Sequence, residues 1–177
     1  MARNLVAYHS RTGITRQVAL ALVPRLAADL LEIRDVRPRD GMLGYLRSAL
    51  EAMQASLPEI APVTQELAGY DLIVLGTPVW VGHVSSPMRR FLRDHGQRLR
   101  RVAFFCTMGE RGAESTFQQM RDLLGRDAEA TLALTDRTVC QERHLRSLDE
   151  FAARLLRSCP AATATAAEIE PASHVPL

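Results

Sequence analysis

Lysine is absent from this chain. All 22 basic residues are arginine, they face 20 acidic ones, and the formal net charge is +2. That balance gives no argument of its own for nucleic-acid binding, which relies on a large positive excess. The arginines are spread through every predicted helix, so the missing lysine reads as a bias of composition and not as a phosphate-reading surface. Cysteine is scarce as well: Cys106, Cys140 and Cys159 are odd in number and far apart, with neither a Cys-x-x-Cys pair nor a metal-ligand cluster with histidine. Such a set excludes a disulfide framework, predicts no metal site, and fits a reducing compartment. No run reaches the roughly 18 apolar residues of a membrane span, and the opening "MARNLVAYHSR" has too short an apolar stretch for a signal peptide. The expectation is a cytoplasmic protein with neither membrane nor nucleic acid among its partners. Aromatic residues make up only 5% of the chain and Trp80 is its single tryptophan, so that position carries information.

What is present is an alternation. Its 177 residues suit one domain with a full core, expected over 1–159, while the tail 160–177 has too little apolar surface to pack as a unit. Buried-strand runs stand at "NLVAYH", "DLLEIRDV", "YDLIVLGTPVW", "RVAFFCTMG" and "EATLALTDRTV". Between them, apolar residues recur at helical spacing over 14–28, 42–57, 86–96 and 115–125, and a last helix covers about 145–158. Five strands alternating with helices predict an α/β fold, a doubly wound parallel sheet with helices on both faces. In such sheets ligands bind outside the carboxyl ends of the strands.

Three strands end in loops of related character. "HSRTGIT" brings Ser10, Thr12 and Thr15 hydroxyls and the flexible Gly13 to a strand-to-helix turn, where free N–H groups and the positive end of the helix dipole favour an anion. The same residues are also good turn and N-cap chemistry, and these positions alone do not choose between the two. "TPVWVGHVSS" carries Trp80 just past a strand end, where it offers a flat plate or packs under a neighbouring helix. "TMGERGAES" supplies Gly109, Gly112 and backbone N–H groups for the polar edge of a ring. Together the loops describe a ligand with a phosphate at one end and a planar heterocycle at the other.

At this point the sequence resembles the flavodoxin family. The family's phosphate loop, [ST]-x-T-G-x-T, is matched by Ser10, Thr12, Gly13 and Thr15, its second loop by "GTPVWVGHVSSPMRRFL", and its third more loosely by "CTMGERG". The resemblance implies a flavodoxin-like five-stranded sheet of order 2-1-3-4-5 holding FMN non-covalently. It assigns Ser10, Arg11, Thr12, Gly13, Ile14 and Thr15 to the phosphate. Pro78, Val79, Trp80, Val81 and Gly82 would border the isoalloxazine ring, and Thr107, Met108, Gly109 and Gly112 its pyrimidine side. Ile14 stands where the family commonly has Asn, and the chain lacks the acidity of short electron-carrier flavodoxins.

The function this implies is redox: electron transfer, or NAD(P)H-dependent reduction of quinones or similar small acceptors. The alternative keeps the fold as a non-catalytic binding or regulatory module. No side-chain catalyst is required, because the flavin carries the electrons. Partners would be FMN with either a redox protein or NAD(P)H and a small acceptor. The predicted helix 42–57 would serve as a lid or as a homodimer surface. His9 and His83 lie beside the proposed site as proton-transfer candidates, against the plainer reading of loop histidines with no role.

Overall fold

The computed structural model describes residues 3–36 and 57–158. Nearly all of the helix expected at 42–57 lies outside them, as do Cys159 and the tail. In chain order the elements are β1 (Asn4–Tyr8), α1 (Ile14–Leu26), β2 (Ala28–Glu32), β3 (Leu72–Trp80), β4 (His83–Val84), α2 (Ser86–His95), β5 (Arg101–Met108), α3 (Ala113–Leu124), β6 (Thr131–Thr135), α4 (Asp136–Cys140) and α5 (Leu145–Arg157). The parallel sheet runs β2-β1-β3-β5-β6, and the short β4 pairs antiparallel with the end of β3. Counting the parallel strands alone, this is the expected 2-1-3-4-5 order.

Strand burial follows position in the sheet. The central β3 and β5 are buried along most of their length, whereas the edge strands β2 and β6 expose residues on alternate sides. Because side chains alternate across a strand, the sheet feeds two cores. Leu5, Ile73, Leu75 and Phe104 join Met88, Phe91 and Met120 of α2 and α3 on one face. Val6, Tyr8, Val74 and Phe105 join Val18, Leu22 and Leu155 of α1 and α5 on the other. Phe104 and Phe105 are fully buried on opposite faces, and truncating either to alanine costs about 3–5 kcal/mol.

Two strands are shorter than their apolar runs. The second ends at Glu32, because residues 34–36 turn to pair with 59–61: Ala61 N–H donates to Arg34 O at 2.8 Å and Val36 N–H to Glu59 O at 3.1 Å. The fifth ends at Thr135, whose hydroxyl caps α4 by accepting from Thr138 N–H at 3.1 Å. Both stops place polar loops at the carboxyl edge of the sheet.

Candidate functional site

At the carboxyl end of β1, the ladder continues one residue past the strand, His9 N–H donating to Gly76 O at 3.0 Å, before the chain turns. The turn is closed internally: Gly13 N–H donates to Ser10 Oγ at 3.1 Å. Gly13 then caps α1 at φ 91°, a backbone state that side-chain-bearing residues resist. The first N–H groups of α1 have no carbonyl within the helix to bond, so they present positive charge toward residues 10–13. Thr15 is buried and its hydroxyl pairs with that of Thr107 at 2.8 Å, tying the first loop to β5. Ile14 packs against the core beneath α1. Its apolar side chain is therefore spent on packing.

The second loop is a hairpin. β3 extends through Trp80, so the indole belongs to the strand, is 9% exposed, and does not stand beyond the strand end as the sequence suggested. Val81 and Gly82, at φ 51° and 76°, then turn the chain back into β4, pairing Val79 with Val84 and Trp80 with His83. Positive φ at both central residues defines a type I′ turn, which favours Asn and Gly. A β-branched valine there is a genuine outlier, and it leaves Val81 56% exposed.

Clamps from α3 hold this geometry. Ser115 Oγ donates to Gly82 O at 2.6 Å, and Gln119 Oε1 accepts from Val84 N–H at 3.3 Å. Gln119 Nε2 then donates to His83 Nδ1 at 3.0 Å, which places the proton of neutral His83 on Nε2. His9 donates from Nδ1 to Ile33 O at 2.8 Å and meets Trp80 in a T-shaped contact, ring centroids 5.5 Å apart. The third loop presses on the same hairpin. A Cβ on Gly112, which has φ 106°, would lie 2.8 Å from Val79 Cγ1 and 3.0 Å from Gly82 Cα.

These loops enclose a cavity of about 240 Å³ lined by Arg11, Thr12, Pro78, Val79, Trp80, Val81, Thr107, Met108, Gly109 and Asp136. A more open hollow of about 560 Å³ adjoins it, sharing Val79, Val81 and Gly109 and adding Gly82, Glu110, Arg111 and Gly112. Eleven of the fifteen residues singled out in the sequence thus line one hollow or the other. Ser10 and Gly13 shape the first loop, Thr15 acts on the cavity through Thr107, and Ile14 serves the core. Asp136 stands inside the run that predicts the fifth strand, so it does not stand out as a site residue in the sequence. The Thr-Asp pair opening a helix at a strand end was the available signal. Burial pushes the Asp136 carboxyl above its ordinary pKa. Burial likewise pushes the Cys106 thiol up to about 12, which leaves it inert near neutrality. Among the described residues no group of His, Cys, Asp and Glu could hold a metal ion, and no helix is long and apolar enough to cross a membrane.

The family model described as flavodoxin matches residues 3–134. The chain belongs to the flavodoxin family. Two curated relatives, both NAD(P)H dehydrogenase (quinone), share this family member's sequence over part of its length. The one from Acidithiobacillus ferrooxidans is 32% identical over 104 residues, 54% of this chain and 48% of the relative. That from Archaeoglobus fulgidus is 33% identical over 112 residues, 55% and 53% respectively. The chain thus spans about half the length of the curated relatives it matches. Among solved structures, a Lactobacillus acidophilus flavoprotein in complex with FMN superposes with a TM-score of 0.67 at 24% identity, covering 80% of this chain and 98% of that one. Oxidised Flavodoxin 1 from Bacillus cereus gives 0.57 at 13% identity, covering 90% and 100%. These likenesses show the fold.

Proposed function

We propose that this chain is an FMN-dependent redox protein that passes electrons from NAD(P)H to quinones or similar small acceptors. The observation that carries the reading is the cavity at the carboxyl ends of β1, β3 and β5. Its lining combines the Thr12 and Thr107 hydroxyls and Arg11, beside the loop that opens α1, with the apolar side chains of Pro78, Val79, Trp80, Val81 and Met108. That donor set fits the FMN phosphate, and the walls fit a planar ring. Arg11, Thr12 and the N–H groups at the start of α1 would hold the phosphate. Trp80, Val81 and Met108 would border the ring, with the Thr107 hydroxyl at its polar edge. When bound, the flavin supplies the electron and hydride chemistry.

The protein's part is to orient that group, limit water around it, and keep the hairpin rigid through Ser115 and Gln119. The acceptor class rests on the two curated quinone reductases, each matched over about half its length. A carrier reduced by a partner protein, and a homodimer, belong to the same reading as its variants. Anaerobic mixing of the FMN-loaded protein with NADH or NADPH separates them: bleaching of the flavin band followed by reoxidation with a quinone is expected of the reductase. Absence of bleaching with either nucleotide would leave the carrier. A purified protein that neither carries nor takes up FMN would instead leave the non-catalytic module.

A further inference from the structure

We propose that the Asp136 carboxylate is a ligand-binding group of the cavity, accepting hydrogen bonds from the hydroxyls of the polyol chain that joins phosphate to ring. This rests on the reading of FMN as the ligand. Asp136 lines the same cavity as Arg11 and Thr12 although it lies at the far end of the chain. It reaches them because α4 follows β6 directly and packs against α1.

No described residue bonds this carboxyl. The cap of α4 is supplied by Thr135, whose hydroxyl accepts from Thr138 N–H and pairs with the Thr138 hydroxyl at 2.6 Å. Among the described residues, no hydrogen bond or ion pair to Asp136 is formed, and burial is the cause of its raised pKa. A carboxylate partly withdrawn from water gains from a hydrogen-bond donor offered by a ligand. An ionised carboxylate only accepts hydrogen bonds, and it repels a phosphate. The donors available on FMN are its polyol hydroxyls and one ring N–H. Asp136 enters the cavity on α4, which packs against α1, the helix opened by the phosphate loop, so the chain next to the phosphate is the matching group.

Apo protein, wild type and with Asp136→Ala or Asp136→Asn, would be titrated with FMN, with riboflavin, which lacks the phosphate, and with lumiflavin, which lacks the polyol chain. Asp136→Ala should weaken FMN and riboflavin by about tenfold, the scale of a lost hydrogen bond to a charged group, and leave lumiflavin unchanged. Asp136→Asn keeps the shape and one acceptor oxygen, so it should fold as the wild type does and lose less. Unchanged FMN and riboflavin affinities in both variants would overturn the assignment. So would tighter FMN with unaltered riboflavin, which would mean that the carboxylate faces the phosphate. A wild-type protein that binds none of the three flavins would overturn the FMN reading itself.

Discussion

The loop after β1 and the hairpin after β3 border one cavity, but they are built on opposite plans. The first is relaxed: a glycine takes the positive φ, Ser10 accepts from Gly13 N–H, and Thr15 is buried against Thr107. The second is forced: a valine sits where a type I′ turn wants Asn or Gly, and side chains from α3 hold it there. The difference assigns the work. The relaxed loop offers hydrogen-bond donors that need not move, whereas the hairpin accepts backbone strain of roughly 1–3 kcal/mol to project an apolar residue at the cavity mouth. Strain at that position is explained by what Val81 faces, since both hollows share it.

Trp80→Ala should produce the largest change, because the indole belongs to the core and the cavity at once. Truncating so buried a tryptophan should lower apo stability by about 3–5 kcal/mol in urea unfolding. Loss of an aromatic plate should also weaken FMN binding by roughly 1–3 kcal/mol. A stability loss with FMN affinity intact would confine Trp80 to packing. Thr12→Val tests the relaxed loop, where effects should fall on the ligand alone. FMN affinity should drop by about tenfold or more in calorimetry while urea unfolding stays nearly unchanged, since a lost bond to a charged phosphate is worth about 1.5–3 kcal/mol. Equal damage to apo stability would erase the contrast between the two loops.

Much of this contrast was legible in the sequence, and its limits are instructive. The Ser-x-Thr-Gly-x-Thr turn announces the first loop because the bond that closes it is local, between Ser10 and Gly13 three residues apart, whereas the Thr15 partner Thr107 lies far along the chain. The hairpin was not legible, since "WVGH" carries Val where a turn signal would carry Asn, and its clamps come from α3, more than thirty residues away. The same hidden pairing decides the fate of Trp80, because β4 holds it in β3 and the ring is buried. Asp136 was hidden inside an apolar run whose last turn is helical, a boundary set by the Thr135 cap. The parallel sheet itself followed from long buried runs, which need no distant partner to be recognised.

Val81→Asn addresses the forced plan directly. Asparagine enters the left-handed region readily, so apo stability should rise by about 1–2 kcal/mol, the cost of that conformation for an ordinary side chain. A fall in stability would show that Val81 contributes packing that outweighs its strain. The smallest effect is expected from Asp136, through pH. Its folded pKa is raised by burial, so between the unfolded and folded values the native state holds the extra proton. Apo stability from this group is therefore fully present below the unfolded pKa and lost as pH rises through the folded one. Asp136→Asn should flatten that part of the stability profile and leave the apo protein slightly more stable at neutral pH. An unaltered profile would place the carboxyl in ordinary solvent.

Because Trp80 is the only tryptophan in the chain and lines the cavity, its emission reports on that one place. The apo protein titrated with FMN should show saturable quenching of tryptophan emission, ending at one flavin per chain, with the emission recovering when FMN is stripped. FMN bound at one per chain with Trp80 emission unchanged would put the flavin elsewhere and contradict the assignment of this cavity.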